Sequence, residues 1–272
     1  ATPESGRWLQ HPFNLNPLGD FQNCAGVKRF IFHCYAHQPW TNIVPGMTMG
    51  PWGTHFSRTQ TWWEQASAWF KYLARTQFLL QQGLFSADVC VYAGEETPGG
   101  FVRLKPELPK GFDYDGFDRT VLLTRMTVGN GRITLPDGLS YGYMLLPQAD
   151  AMTPEELRKI RTLVTDGATV IGTRPSYSPS LRDYPACDAE VKKLAGELWG
   201  ENPDTRGERA FGKGRLLWGK TFEEIFTQDK RVPDFEFQGD KVTKLNFIHR
   251  RIGEADVYFI ANQNQRYEET VC

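Results

Sequence analysis

A chain of 272 residues that is 40% hydrophobic, with 31 basic against 32 acidic side chains, can bury one large core or two ordinary ones. Its near-neutral balance lacks the polyelectrolyte signature of nucleic-acid binding, and no run reaches the roughly 18 apolar residues that a membrane span requires. Cys24, Cys34, Cys90, Cys187 and Cys272 are odd in number, widely spaced and without a CxxC pair, so they suggest buried thiols rather than a disulfide framework or a zinc site.

Residues 11–26 read as a short helix, with Pro12 and Pro17 in its entry and Gly26 as its stop. Residues 28–40, KRFIFHCYAHQPW, then alternate like a buried strand. Phe30, Phe32 and Cys34 fall on one face, and Ile31, His33 and Tyr35 on the other. His37, Gln38 and Trp40 follow just past the strand's carboxyl end, where barrels and open α/β sheets place their chemistry. The loop after it, to residue 58, is long enough to be a binding loop and carries Trp52, His55 and Arg58. An apolar stripe through Trp62, Ala66, Trp69, Phe70, Leu73, Phe78 and Leu80 predicts a helix over 59–82. SADVCVY, residues 86–92, reads as the next strand, which makes a right-handed βαβ unit the expectation. Six of the eight tryptophans lie in the first hundred residues; such rings pack cores and also stack on sugar faces.

The Pro-, Gly- and Lys-rich residues 99–109 mark a domain boundary. Beyond it come a helix near 115–124, a hairpin in GNGRITLPDG and a buried strand over 143–146. Thr153, Pro154 and Glu156 form a capping-box start for a helix running to about 165, and ATVIGT follows as a strand. Another helix spans 188–200, GKGRLLWG reads as an edge strand of the same sheet, and three β-like runs close the chain. The second half is thus a Rossmann-like or amidotransferase-like α/β domain. It holds no GxGxxG, no P-loop and no cysteine at a strand-to-helix turn.

The candidate chemistry centres on residues 33–58. His33 and His37 lie about 13 Å apart along a strand at roughly 3.3 Å per residue, too far to share one metal ion. Imidazoles, the Gln38 amide and the Tyr35 hydroxyl offer the mixed donors and acceptors that suit a polyol, and they equally suit a set of internally satisfied polar groups. Glycoside hydrolysis needs two carboxyl groups. Asp88, Glu95 and Glu96 are the candidate cleft acids, and their spacing does not pair them.

GVKRFIFHCYAHQPW, followed by PGMTMGPWGTHFSRTQTWWEQASAWFKYLARTQFLLQQGLFSADVCVY, resembles the later barrel strands of glycoside hydrolase family 106, the α-L-rhamnosidases. The resemblance continues through LPDGLSY, YPACDAEVKKLAGELWG and DVYFIAN, and so covers nearly the whole chain; Cys34 stands where the family usually carries a basic residue. It implies inverting hydrolysis of terminal α-L-rhamnose in plant or bacterial polysaccharides by large, multidomain bacterial enzymes that are periplasmic or extracellular. It also implies a calcium ion in the full-length enzyme, no cofactor held by this chain, and two catalytic glutamates lying before its first residue. The expected fold is therefore the carboxyl-terminal part of a (β/α)8 TIM-type barrel over residues 1–110, an amidotransferase-like α/β domain over 111–232, and the start of a β-rich domain over 233–272. No catalytic or metal-binding residue is assigned. The sugar subsite is expected from His33, Tyr35, His37, Gln38 and Trp40, with Trp52, His55 and Arg58 on a covering loop and Asp88 and Glu95 as acids; the isolated chain is expected to be inactive. The partner that the resemblance implies is a rhamnose-containing glycan. A non-catalytic carbohydrate-binding or scaffold protein is the rival reading, and an amidotransferase-like enzyme the third.

Overall fold

The computed structural model describes residues 8–50, 53–95, 104 and 106–264, and the chain divides into two units. The first joins residues 1–84 to 237–272; the second is Phe85–Glu236. Helix α1 (Pro12–Cys24) starts where the His11 backbone N–H donates to the Asn14 side chain at 2.9 Å and proline takes the first turn, where its missing N–H leaves nothing unpaired. After a single 3-10 turn at Trp63–Gln65 comes α2 (Ser67–Leu80), then the short strand β1 (Leu84–Phe85). The Trp69 indole donates to Asn16 at 2.6 Å and the Tyr72 hydroxyl to Asp20 at 2.6 Å, so two polar bonds fix α1 on α2.

The second unit begins with β2 (Val89–Tyr92) and β3 (Tyr114–Phe117), after which α3 (Arg119–Thr124) is capped by the Asp118 side chain accepting from Val121 N–H. A small antiparallel sheet follows: β4 (Thr127–Gly129), β5 (Arg132–Thr134) and β6 (Ser140–Tyr141). Asn130 and Gly131 both take positive φ at its first turn, the conformation that lets a two-residue loop match strand twist. Then come β7 (Tyr143–Leu145), α4 (Pro154–Asp166), β8 (Thr169–Ile171), α5 (Ala186–Trp199), β9 (Gly207–Phe211), β10 (Gly214–Trp218) and α6 (Phe222–Gln228).

Six of these strands form one sheet in the order β3-β2-β7-β8-β10-β9, parallel throughout except for β9. Numbered along the chain, the five parallel strands read 2-1-3-4-5, a doubly wound order whose switch point lies between β2 and β7. Apolar side chains line both faces, as a sheet covered on both sides requires. Cys90, Met144, Val170 and Leu216 meet Leu157, Ile160, Leu163 and Val164 of α4 and Val191 and Leu194 of α5. Val89, Tyr143, Leu145, Ile171 and Leu217 meet Phe222, Ile225 and Phe226 of α6. Each fully buried side chain of this kind contributes roughly 1.5–3 kcal/mol, so the two faces dominate the unit's stability.

Several expectations need correction. The 86–92 run does not close a barrel part but is an inner strand of this sheet, which moves the boundary from residue 110 to Leu84/Phe85. GKGRLLWG becomes β10, an interior strand, because β9 folds back to cover its free edge. The helix expected from 115 starts at Arg119, since Tyr114–Phe117 is spent on pairing with β2. Of the closing runs, residues 265–272 lie outside the described residues, and the described ones form two strands, β11 (Leu245–Ile252) and β12 (Ala255–Asn262), paired along their length. They belong to the first unit rather than opening a separate domain. Helix α1 packs against both, and the buried Arg250 of β11 donates from Nε to Gln82 O at 2.6 Å and from Nη2 to Gly83 O at 2.7 Å, which places a cation on the carbonyls just past α2. No helix among the described residues is long and apolar enough to cross a membrane.

At the amino ends of β2 and β3 lie Asp88, Asp113, Asp115 and Asp234, with Arg231 donating to Asp88 at 3.0 Å. Burial, reinforced by the neighbouring carboxylates, pushes the Asp113 carboxyl up to about 7. The folded chain keeps that proton almost to neutrality, whereas an unfolded aspartate releases it near 3.9. Its contribution is therefore fully present below about pH 4 and is lost as pH rises through 7. Asp113→Asn is expected to stabilise the second unit by about 1–2 kcal/mol at pH 8 and by far less at pH 4, a discounted value because the side chain keeps some exposure. Urea unfolding at both pH values checks this, and an equal effect at each would refute it.

Candidate functional site

Residues 27–40 carry the alternation of a strand without being one, because among the described residues no neighbouring strand exchanges a ladder with them. Side chains of α2 take that part instead. Phe30 N–H donates to the Gln77 side chain at 2.8 Å, and the Gln81 amide donates to Lys28 O at 3.3 Å while accepting from Arg29 at 3.1 Å. Further along, Cys34 N–H donates to Thr54 O and Phe56 N–H to Cys34 O, both at 3.0 Å. The two faces still differ as the sequence demands. Phe32 packs 4.6 Å from Phe56 and 6.0 Å from Trp69, and Cys34 is buried. Opposite them Ile31 is 93% and Tyr35 75% exposed, with His33 exposed between.

Two residues expected to bind ligand hold the loop together. Gln38 Nε2 donates to Met47 O at 2.6 Å and its Oε1 accepts from Met47 N–H at 2.9 Å, so the amide mimics a strand neighbour. Gly46 sits beneath this clasp at φ +86°, where a Cβ would come within 2.0 Å of Gln38 Oε1. Arg58 Nη2 lies 3.3 Å from both Gln38 O and Trp40 O. With those two committed, the outward-facing members of the set are His33, Tyr35, His37 and Trp40. Trp52 and Glu96 lie outside the described residues.

His55 is buried. Its Nδ1 lies 3.7 Å from Cys34 Sγ and its ring 4.3 Å from the Trp8 ring. Burial lowers its pKa, and the neighbouring His33 lowers it further, which favours the neutral imidazole. Beside it, the Thr54 hydroxyl donates to Gln10 Oε1, whose residue also accepts the Trp62 indole N–H on its backbone carbonyl at 3.0 Å. Trp8, Gln10 and Thr54 thus complete a polar floor that sequence reading missed; only the density of tryptophan and amide residues could have signalled it.

The two candidate acids belong to the second unit. Asp88 stands just before β2, at the amino end of the sheet, where burial raises its pKa and Arg231 offsets part of that rise. Glu95 lies beyond the carboxyl end of β2, 2.6 Å from Arg119 Nε. Burial raises its pKa and the neighbouring Glu156 adds to the effect. Among the described residues no three His, Cys, Asp or Glu side chains gather to hold a metal.

The sequence matches the glycoside hydrolase family described as alpha-L-rhamnosidase over residues 1–271. The chain belongs to glycoside hydrolase family 106. A Formosa agariphila protein named "Putative beta-glucuronidase" is 42% identical over 265 residues, which is 97% of this chain and 21% of that protein. The solved structure of a rhamnosidase from Novosphingobium sp. PP1Y superposes with a TM-score of 0.83 at 29% identity, covering 94% of this chain and 24% of that one. The chain thus spans about a fifth to a quarter of the length of these relatives.

Proposed function

We propose that this chain forms one wall of the sugar site of an inverting α-L-rhamnosidase acting on rhamnose-containing glycans, and that the acid and base come from polypeptide outside these residues. The observation that carries the reading is the outward set His33, Tyr35, His37 and Trp40 on an extended segment that has no strand neighbours among the described residues. Aromatic faces and mixed hydrogen-bonding groups suit a hexose, and an extended segment without a strand ladder among the described residues suits a (β/α)8 barrel strand whose neighbours lie elsewhere in the longer relatives. Within the described part of the first unit up to residue 84 the acids are Asp20, hydrogen-bonded to Tyr72, and Glu64 on the exposed 3-10 turn. Neither is placed to flank a glycosidic bond at the outward set.

Phe85–Glu236 serves in this reading as an amidotransferase-like companion without glutaminase chemistry. That chemistry needs a cysteine at a strand-to-helix turn. Leu146 and Pro147 follow β7, Cys90 lies buried within β2, and Cys187 sits in the first turn of α5. The parent enzyme would be periplasmic or extracellular, where glycans are met.

Incubation with an aryl α-L-rhamnoside is expected to give no turnover, while titration with rhamnose quenches tryptophan fluorescence saturably. Trp40→Ala should abolish the quench and His37→Ala should weaken binding about three- to tenfold, the worth of one or two hydrogen bonds. Turnover that persists in the Asp88→Asn/Glu95→Gln double variant would overturn the division of labour, and absence of any quench would overturn the sugar wall. A non-catalytic carbohydrate-binding role shares the quench, and the lack of an acid pair flanking the outward set among the described residues favours it; it fails if polypeptide matching the remainder of the longer relatives, added in trans, restores hydrolysis.

A further inference from the structure

The contact between Cys34 and His55 is built rather than incidental. The two backbone bonds from Cys34 N–H to Thr54 O and from Phe56 N–H to Cys34 O bracket residue 55, so the side chains of 34 and 55 are carried side by side. Both are buried, and Sγ stands 3.7 Å from Nδ1. The Trp8 ring, tilted 35° and 4.3 Å away, packs on the imidazole and restricts its rotation.

A neutral imidazole carries one N–H, and its position decides whether the other nitrogen donates or accepts. A thiol can give its S–H to a ring nitrogen, whereas sulfur is a weak acceptor of a ring N–H. The pair is therefore best satisfied with S–H donating to Nδ1 and the ring proton on Nε2. His55 Nε2 makes no hydrogen bond among the described residues. We infer that Cys34 is a positioning residue that fixes His55 in the Nε2–H tautomer, so that the ring offers a donor to a hydroxyl oxygen of the bound sugar. The inference rests on the sugar-site reading for its ligand, but its core, the tautomer, can be read without any ligand.

Long-range proton–nitrogen correlation spectra of the full chain separate protonated from unprotonated ring nitrogens. In the native chain His55 is expected as the Nε2–H form. Cys34→Ala should mix the two tautomers and weaken rhamnose binding about fivefold, the loss that accompanies one misdirected hydrogen bond. Cys34→Ser, which keeps a hydroxyl donor, should restore part of both. An Nδ1–H ring in the native chain overturns the inference directly, with no variant needed, and so does a tautomer unchanged in Cys34→Ala. A tautomer that follows residue 34 in chains showing no affinity for rhamnose upholds the positioning role and overturns the sugar reading.

Discussion

Glu156→Ala is expected to lower the unfolding free energy of Phe85–Glu236 by about 3–5 kcal/mol, because it strands several buried groups at once. Glu156 is 1% exposed. Its Oε2 accepts from Thr153 N–H at 2.9 Å and from the Thr153 hydroxyl at 2.8 Å, which closes the start of α4; loss of such a cap alone costs about 1 kcal/mol. Its Oε1 accepts the Tyr92 hydroxyl, itself buried at the end of β2. Burial, and then the Glu156 carboxylate, hold that phenol far above its ordinary pKa, so it stays a donor and would be left with nothing to donate to. Arg119 would keep Glu95 and Glu155 as partners, which limits the damage on the exposed side. Glu156→Gln preserves the shape and one acceptor and should cost only about 1–2 kcal/mol. Urea unfolding monitored by circular dichroism reads both; a loss under 1 kcal/mol for the alanine variant would show that the network is not what holds α4 to β2.

The second large effect comes from a residue with no side chain. Gly214→Ala is expected to cost about 3 kcal/mol, at the upper end of overpacking penalties. A Cβ there would stand 2.2 Å from Ala168 O and 2.5 Å from Val164 O, and both are backbone atoms. Ala168 O also accepts Arg215 N–H at 3.1 Å, next to the first rung between β8 and β10. The added methyl therefore has to push the strand away from the partner it must pair with. Thermal unfolding of the single variant suffices as a test, and an unchanged midpoint would mean that β10 can retreat without losing its register.

The contrast between legible and illegible parts follows from what each signal measures. Thr153, Pro154 and Glu156 announce the start of α4 because a capping box is local, and the structure builds it from those three residues. The Asn130-Gly131 turn and the apolar runs of β2, β7 and β8 were readable for the same reason. Residues 28–35 misled because alternation reports that one face is buried, not that a neighbour exists to pair with. Cys34 is buried and Phe32, 43% exposed, packs one side of its ring on Phe56, while Gln77 and Gln81 answer backbone groups that a neighbouring strand would have met. Gln38 and Arg58 show a related limit. An amide or guanidinium suited to a sugar suits a peptide group equally well, and only the fold decides which it meets. Asp88 finds its cation 143 positions away at Arg231, a distance no local pattern spans. β10 passed for an edge because the Glu208 and Arg209 that face solvent on β9 made its real neighbour look like loop.

The pairing of Arg250 with the carbonyls of Gln82 and Gly83 bears on how the chain is made. A ribosome releases α1 and α2 early, while β11 and β12, against which α1 packs, emerge only after all of Phe85–Glu236. Through that interval α1 has α2 but not the β11–β12 pair to pack on, whereas the intervening residues can finish a contiguous sheet as they appear. The entropy of closing so long a loop grows only with the logarithm of its length, and a compact insert shortens the effective distance further. The first unit is thus the last to be completed, the carbonyls past α2 meeting their cation only when the guanidinium of Arg250 arrives.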